Sequence, residues 1–446
     1  MNTAVVLFTR DLRLHDNPAL AEACARADRV IPLYVLDPTL AGLSGNRSRF
    51  LHQSLADLRE QLRERGGDLV VRSGDPVAET IRLAREHGAG TIHLAADVSG
   101  YARRRERRLT DEGERHRIAV RLHPGVTIVD PGVLRPGGGG DCYKVFTPYF
   151  RVWSQTRWRV AAPVPQRVTL PDGIAAGLLP AIPDGDSPHA AEGGETVGRR
   201  RLTAWLSPID GYGMDGYPDV HDDLPGDRTS RLSPYLRWGC LSPLALAEAA
   251  RARDAEAFVR QLCWRDFYYQ VARVFPKLST EPLRPGGDRD WRYDEDALAH
   301  WQDGLTGVPV VDAGMRQLRA EGWMHNRARL ITAAFLTKHL GLDWRAGVDW
   351  FFRWLLDGDV PNNSGNWQWV AGTGNDTRPH RRFNPIRQAL RFDPEGVYVR
   401  RYVPELKGID GPAVHQPWRL PVPVRRTLDY PGPLESHRDE AVWLRN

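Results

Sequence analysis

Residues 4–8, Ala-Val-Val-Leu-Phe, and residues 30–36, Val-Ile-Pro-Leu-Tyr-Val-Leu, decide the first part of the fold. Both are apolar, rich in β-branched residues and of strand length, while residues 18–27 between them carry apolar positions at helical spacing. The alternation continues: 68–71, 91–94 and 120–122 have strand character, and 48–65, 76–87 and 102–117 have helical period. Near-continuous apolar strands separated by helices predict an α/β domain with a doubly wound parallel sheet over residues 1–130.

The chain then changes character. Residues 131–198 hold the glycine run 137–140 and, from 163, a stretch dense in Pro, Gly, Ala and Asp. They read as a long interdomain linker that crosses the surface of both domains, with one aromatic, basic helix at 143–158. From 199 to 446 the strand signal nearly vanishes, and 244–252, 255–275, 309–320, 325–339 and 348–356 are helical in period. An all-α C-terminal domain is expected there.

With 446 residues, 41% hydrophobic and 26% charged, the chain can bury sizeable cores, which excludes disordered, collagen-like and multi-span membrane classes. No apolar run approaches the roughly 18 residues that a bilayer requires. The amino terminus lacks the features of a secretory signal, so a cytoplasmic location is expected. Cys24, Cys142, Cys240 and Cys263 are irregularly spaced and suggest neither disulfides nor a metal site. All but four of the 61 basic residues are arginine, and the net charge of +5 suits a phosphate-bearing partner.

Ten of the fifteen tryptophans fall between Trp238 and Trp369, several beside arginine. Such indoles pack cores, stack on bases or relay electrons. Residues 229–233, Thr-Ser-Arg-Leu-Ser, precede Pro234 and a helical pattern, a place for helix caps or for phosphate. Residues 357–369, Asp-Gly-Asp-Val-Pro-Asn-Asn-Ser-Gly-Asn-Trp-Gln-Trp, combine carboxylates, amides and two indoles. A turn-rich loop explains the Asp, Gly, Pro and Asn but not the tryptophan pair. The amides and carboxylates match a heterocycle with edges like those of an isoalloxazine ring.

Seven motifs in order resemble the DNA photolyase and cryptochrome family, most closely the microbial class I cyclobutane pyrimidine dimer photolyases. They are residues 8–18, 146–149, 229–234, 264–268, 322–327, 357–369 and 383–385. The resemblance covers nearly the whole chain and implies bound FAD. Tyr217, Thr229, Ser230, Arg231, Leu232 and Ser233 would surround its phosphates and sugar, and Arg329 would pair with Asp357. Asp357, Gly358, Asp359 and Asn363 would line the flavin, Asn363 near N5. Trp367, Trp344 and Trp291, in that order outward, match the family's electron-transfer chain.

The resemblance further implies light-driven repair by electron transfer to a flipped-out pyrimidine dimer in UV-damaged DNA, that is, a carbon–carbon lyase acting as a monomer. Trp264 and Trp369 match aromatic walls around the lesion, Asn326 and Gln261 polar contacts to it, and Arg265, Arg327 and Gln388 contacts to DNA backbone or pocket edge. Gln261 stands where cyclobutane enzymes usually carry glutamate, and Leu330 where they usually carry methionine. Glutamine at this position also occurs in animal-type (6-4) photolyases, so that activity and a cryptochrome-like photoreceptor stay as alternatives. The α/β domain resembles an antenna domain in which Arg10, Asp37, Arg47, Asp97 and Tyr101 match pocket residues. Its implied second chromophore is 8-hydroxy-5-deazaflavin in preference to a reduced folate, although Ser99 replaces an acid common there.

Overall fold

A computed structural model of the chain describes residues 2–40, 42, 44–207, 217–288, 290–375 and 382–434. It divides into two compact units. The first comprises Met1–Gly185, Glu192–Asp215 and Ser230–Lys277; the second comprises Asp186–Ala191, Gly216–Thr229 and Leu278–Asn446.

In the first unit five strands, β1 (Thr3–Leu7), β2 (Arg29–Leu36), β3 (Val70–Ser73), β4 (Ala89–Ala95) and β5 (Ala119–His123), form a sheet. Its order is β3-β2-β1-β4-β5 and all pairings are parallel. Helices α1 (Pro18–Arg26), α2 (Gly45–Arg63), α3 (Pro76–Glu86) and α4 (Gly100–His116) alternate with the strands. Their starts are written locally: Asn17, Asp75 and Ser99 cap the first turns through side-chain oxygens, and proline follows the first two. Pro32 is tolerated inside β2 because pairing with β3 begins only at Leu33. The expected strand at 68–71 lies at Val70–Ser73, since pairing with Leu33–Leu36, not apolarity, sets its register.

Helices α5 (Phe146–Gln155), α6 (Glu195–Leu206), α8 (Ser233–Trp238), α9 (Pro243–Arg251) and α10 (Glu256–Val274) belong to this same unit. The compact units therefore cut the chain differently from boundaries at 130 and 198. Buried charges explain why. Arg13 donates to Gly125 O and Gly239 O, both at 3.0 Å, and the Glu195 carboxylate receives the amides of Leu14 and His15. An ionised group removed from water must be paired, and these partners lie far along the chain. Gly239, at φ +70°, leaves Arg10 O so close that any Cβ would stand 1.9 Å from it.

The second unit contains α7 (Tyr217–Val220), α11 (Glu295–Asp303), α12 (Pro309–Glu321), α13 (Asn326–Ala334), α14 (Trp344–Trp354), α15 (Val360–Ala371), α16 (Pro385–Phe392) and α17 (Val397–Tyr402). Residues Phe335–His339 continue α13 as a π-helical turn. Trp301, Trp344, Trp367, Phe351 and the apolar faces of α12, α13 and α14 form its core. Residues of the expected linker attach to each unit: Val168 N and Ala176 O bond to Arg65 and Val71 in the first, and Ser187 Oγ to Arg319 O in the second. Among the described residues no helix is long and apolar enough to cross a membrane.

Candidate functional site

Residues 357–369 prove to be a turn followed by a helix. Gly358 N bonds back to Leu355 O, and α15 begins after Asp359 with Pro361 in its first turn. A proline in that position adopts the helical φ without losing a needed donor, so turn-like residues and a helix coexist. Asn363 Nδ2 donates to Val348 O of α14 at 3.0 Å, and Asn362 Nδ2 to Asp359 Oδ2 at 2.8 Å. Asp359 is buried. Arg329 and Asp357 form the bidentate pair that the resemblance implies, with contacts of 3.1 and 2.8 Å.

Trp367 lies buried with its six-membered ring against Gly347, where an added Cβ would come within 2.1 Å of Cη2. That contact explains a glycine inside α14. Gly347 is one helical turn beyond Trp344, so α14 carries the backbone bridge between the two tryptophans. Trp344 is fully buried and Trp291 half-buried. The ring of Trp367 also meets Phe351 at 4.9 Å and Trp301 at 6.1 Å, edge-on in both cases. Trp369 is half-buried and packs against the same core, as does Leu330.

Asn326 is the exposed first residue of α13, which His325 caps by accepting from Arg327 N. Gln388 of α16 buries Oε1 with no partner among the described residues. Tyr217 opens α7 beside His221, and burial raises its phenol pKa. Thr229 belongs to the second unit, and Ser230, Arg231, Leu232 and Ser233 to the first. There Arg201 Nε bonds Ser230 O, Ser230 Oγ receives Leu232 N, and Arg231 adopts φ +50°. Ser233 starts α8.

On α10, Gln261 is exposed and Trp264, one turn on, stacks on Phe146 with centroids 3.7 Å apart and planes 3° from parallel. Phe146 had no assigned role in the sequence. The structure gives protein partners to two of the arginines expected at DNA or the pocket edge. Arg265 is only 11% exposed and turns inward to Val126 O at 2.6 Å and the Tyr269 ring at 4.5 Å. Arg327 is held by Asp222 at 2.5 Å and lies over Phe392 at 4.3 Å. These partners orient both guanidinium groups, which residue type does not reveal.

Asp266, next to Arg265, receives the amides of Ile128 and Val129 and the Trp153 indole, each at 3.0 Å. Burial pushes its carboxyl up to about 6, against the pull of Arg265 and those donors. Gln368, between the two tryptophans of α15, bonds Leu278 O, Glu281 O and Leu283 N and so holds residues 278–283. Neither residue was given a role from the sequence, because a buried amide or acid is recognised only by its partners.

The residues matched to an antenna pocket all lie in the first unit. Arg10 pairs with Asp97 at 3.2 Å and bonds the Tyr269 hydroxyl, Tyr101 bonds Asp37, and buried Arg47 lies 5.6 Å from the Trp238 ring. Glu106 of α4, absent from the expected set, receives Asp97 N at 3.0 Å. Burial raises its carboxyl to about 7. Asp97 moves the other way: burial opposes its ionisation, but Arg10 and the Val98 amide outweigh it and lower its pKa. Ser99, which stands where deazaflavin-binding relatives commonly carry an acid, caps α4. Cys142, Cys240 and Cys263 are buried, and all four cysteines are free. Among the described residues no group of three His, Cys, Asp or Glu could hold a metal.

Comparison with known proteins decides the family. Residues 4–168 match the family profile described as DNA photolyase, and residues 258–443 the FAD binding domain of DNA photolyase. A deoxyribodipyrimidine photo-lyase from Streptomyces griseus is 50% identical, covering 97% of this chain and 96% of its own.

The chain belongs to the DNA photolyase family.

A class III photolyase structure from Agrobacterium tumefaciens superposes with a TM-score of 0.92 at 35% identity, over 98% of this chain and 95% of that one. An archaeal photolyase from Sulfolobus tokodaii, described with two FAD molecules, gives 0.87 at 29% identity, over 99% and 98%. The side chains fit the flavin that the family implies. Thr229 Oγ1 is buried without a hydrogen-bond partner among the described residues. Leaving such a group unmet costs about 1–3 kcal/mol, which a ligand at the site would relieve.

Proposed function

We infer that this chain is a light-dependent DNA repair lyase that splits cyclobutane pyrimidine dimers with bound FAD. The carrying observation is 50% identity, over nearly its full length, to a deoxyribodipyrimidine photo-lyase. FAD supplies the light-driven electron donor; the residues hold it and present the lesion. Tyr217, Thr229 and the 230–233 segment bind its phosphates and sugar, while Arg329 fixes Asp357 beside Gly358, Asp359 and Asn363. An amide at Asn363 cannot hand N5 a proton as a carboxylic acid would, which favours keeping the reduced ring anionic.

A dimer stacked in the duplex cannot reach a buried flavin, so it must flip out. Trp264 and Trp369 stack on the flipped pyrimidines, Asn326 and Gln261 hydrogen-bond them, and Arg265, Arg327 and Gln388 contact the DNA backbone or the pocket edge. Gln261 donates as well as accepts, so it can meet a pyrimidine carbonyl without a carboxyl proton. Trp291, Trp344 and Trp367 reduce oxidised flavin under light. Arg10, Asp37, Arg47, Asp97 and Tyr101 hold an antenna, 8-hydroxy-5-deazaflavin in preference to a reduced folate. The protein works as a monomer in the cytoplasm.

The test is to reduce the purified protein and illuminate it with two oligonucleotides, one carrying a cyclobutane thymine dimer and one a (6-4) product. Restored thymines are then followed by chromatography against dark controls. Light-dependent repair of the first alone is expected. Repair of the second instead would assign (6-4) activity. Repair of neither, with FAD bound and photoreducible, would make the chain a photoreceptor.

A further inference from the structure

The outermost tryptophan of the proposed chain is tied to an acid. Trp291 Nε1 donates to Asp288 Oδ1 at 3.3 Å, and Asp288 also takes Arg345 Nη2 on Oδ2 at 3.2 Å and Arg345 Nη1 on Oδ1 at 3.4 Å. Arg345 follows Trp344 directly, and its guanidinium carbon lies 4.9 Å from that ring's centroid. One ion pair thus touches both the middle and the outer indole. Asp343 and Thr280 O hold Arg345 in place at 3.0 and 2.7 Å. The segment carrying Trp291 is pinned too, by Arg292 N to Gly341 O at 2.9 Å and a parallel bridge to Leu342.

These charges act differently on the two rings. A positive charge created on Trp344 faces a guanidinium, whereas the same charge on Trp291 faces a carboxylate. The indole N–H groups differ as well. Trp344 and Trp367 bury theirs with no acceptor among the described residues, so an oxidised ring there keeps its proton and can pass the vacancy on. Trp291 alone of the three has a base at hydrogen-bond distance.

We propose that Asp288 is the proton acceptor that traps the oxidising equivalent on Trp291, a reading that rests on the tryptophan chain proposed above. One electron leaves Trp291 along the chain toward photoexcited oxidised flavin. The Nε1–H bond then breaks, an O–H bond forms on Asp288, and a neutral indolyl radical remains. An external thiol later returns one electron and one proton to Trp291, and Asp288 releases its proton to water. Before that, the vacancy cannot run back by electron transfer alone, because a proton must return with it.

Transient absorption of the FAD-loaded protein under a blue flash separates the radical cation from the neutral radical. With Asp288→Asn, which keeps an acceptor oxygen but not its basicity, conversion should slow about tenfold, less than the ~100-fold or more of a positioned base because water competes. Asp288→Glu should restore it. In the dark and without flavin chemistry, nitrogen-15 NMR should show the Trp291 indole proton exchanging more slowly than that of an exposed tryptophan, with its resonance moved in Asp288→Asn. Unchanged conversion in Asp288→Asn, with a Trp291 radical still formed, overturns the assignment to Asp288 and leaves the chain intact. An indole proton that exchanges as in an exposed tryptophan also overturns it. A parent protein whose flash signal survives Trp291→Phe unaltered overturns the chain and the proposal with it.

Discussion

Around Asp97 the charged and polar groups meet one another: Arg10 faces Asp97, Tyr101 bonds Asp37, and Glu106 takes the Asp97 amide. Around Trp367 the neighbours are apolar: its ring meets Gly347, Phe351 and Trp301, and the indole protons of Trp367 and Trp344 have no partner among the described residues. The first cluster is held by charge pairing and the second by packing. Charge pairs answer to pH, whereas packed rings answer to a change of shape.

The sharpest break should come at the flavin side. Arg329→Ala leaves Asp357 buried without its bidentate partner, and losing one member of such a pair costs about 3 kcal/mol or more. Denaturant unfolding with FAD retention measured in parallel should show both fall together. Trp369→Ala removes a stacking face and should weaken binding to dimer-containing DNA by about 1–3 kcal/mol while FAD stays bound. Unchanged affinity would remove Trp369 from the lesion contacts. Trp291→Phe should block photoreduction of oxidised FAD in the absence of any other reductant, yet chemically reduced enzyme should still repair; equal loss of both would mean that the electron chain is misassigned.

The Asp97 side should respond less, and through pH. Because the folded protein holds the Glu106 carboxyl near 7, above its ordinary 4.5, it binds a proton that the unfolded chain has released. Glu106 therefore favours the fold below about pH 4.5, and that contribution is lost as pH rises through 7. Asp97, shifted down, has the opposite sign and is retained until strongly acid pH. Glu106→Gln should flatten the loss and gain about 1 kcal/mol at pH 8 relative to the parent, read from urea midpoints at pH 5 and 8. A pH profile identical to the parent's would mean that Glu106 titrates normally.

Much of the site was legible because its residues are contiguous: 229–233 and 357–369 each concentrate unusual chemistry in one stretch. The partners of the two arginines expected at DNA were not legible for the converse reason: Val126 O lies far from Arg265 in sequence, and Asp222 and Phe392 lie far from Arg327. Asp266, Glu106, Gln368 and Asp288 received no role from the sequence because a common polar residue gains meaning only from what it touches.

The sequence by itself determined the five strands, the helices between them, the capping of α1, α3 and α4, and the motif order that identifies the family. Those properties are set by neighbours within a few residues, through periodicity, φ preferences and side-chain-to-backbone bonds. Only the tertiary structure decided that α8, α9 and α10 join the sheet's unit, that Gly347 admits the Trp367 ring, and that Asp288 meets Trp291. Each is a long-range packing or charge-pairing event, and burial, which makes such pairings obligatory, is a property of the folded chain alone.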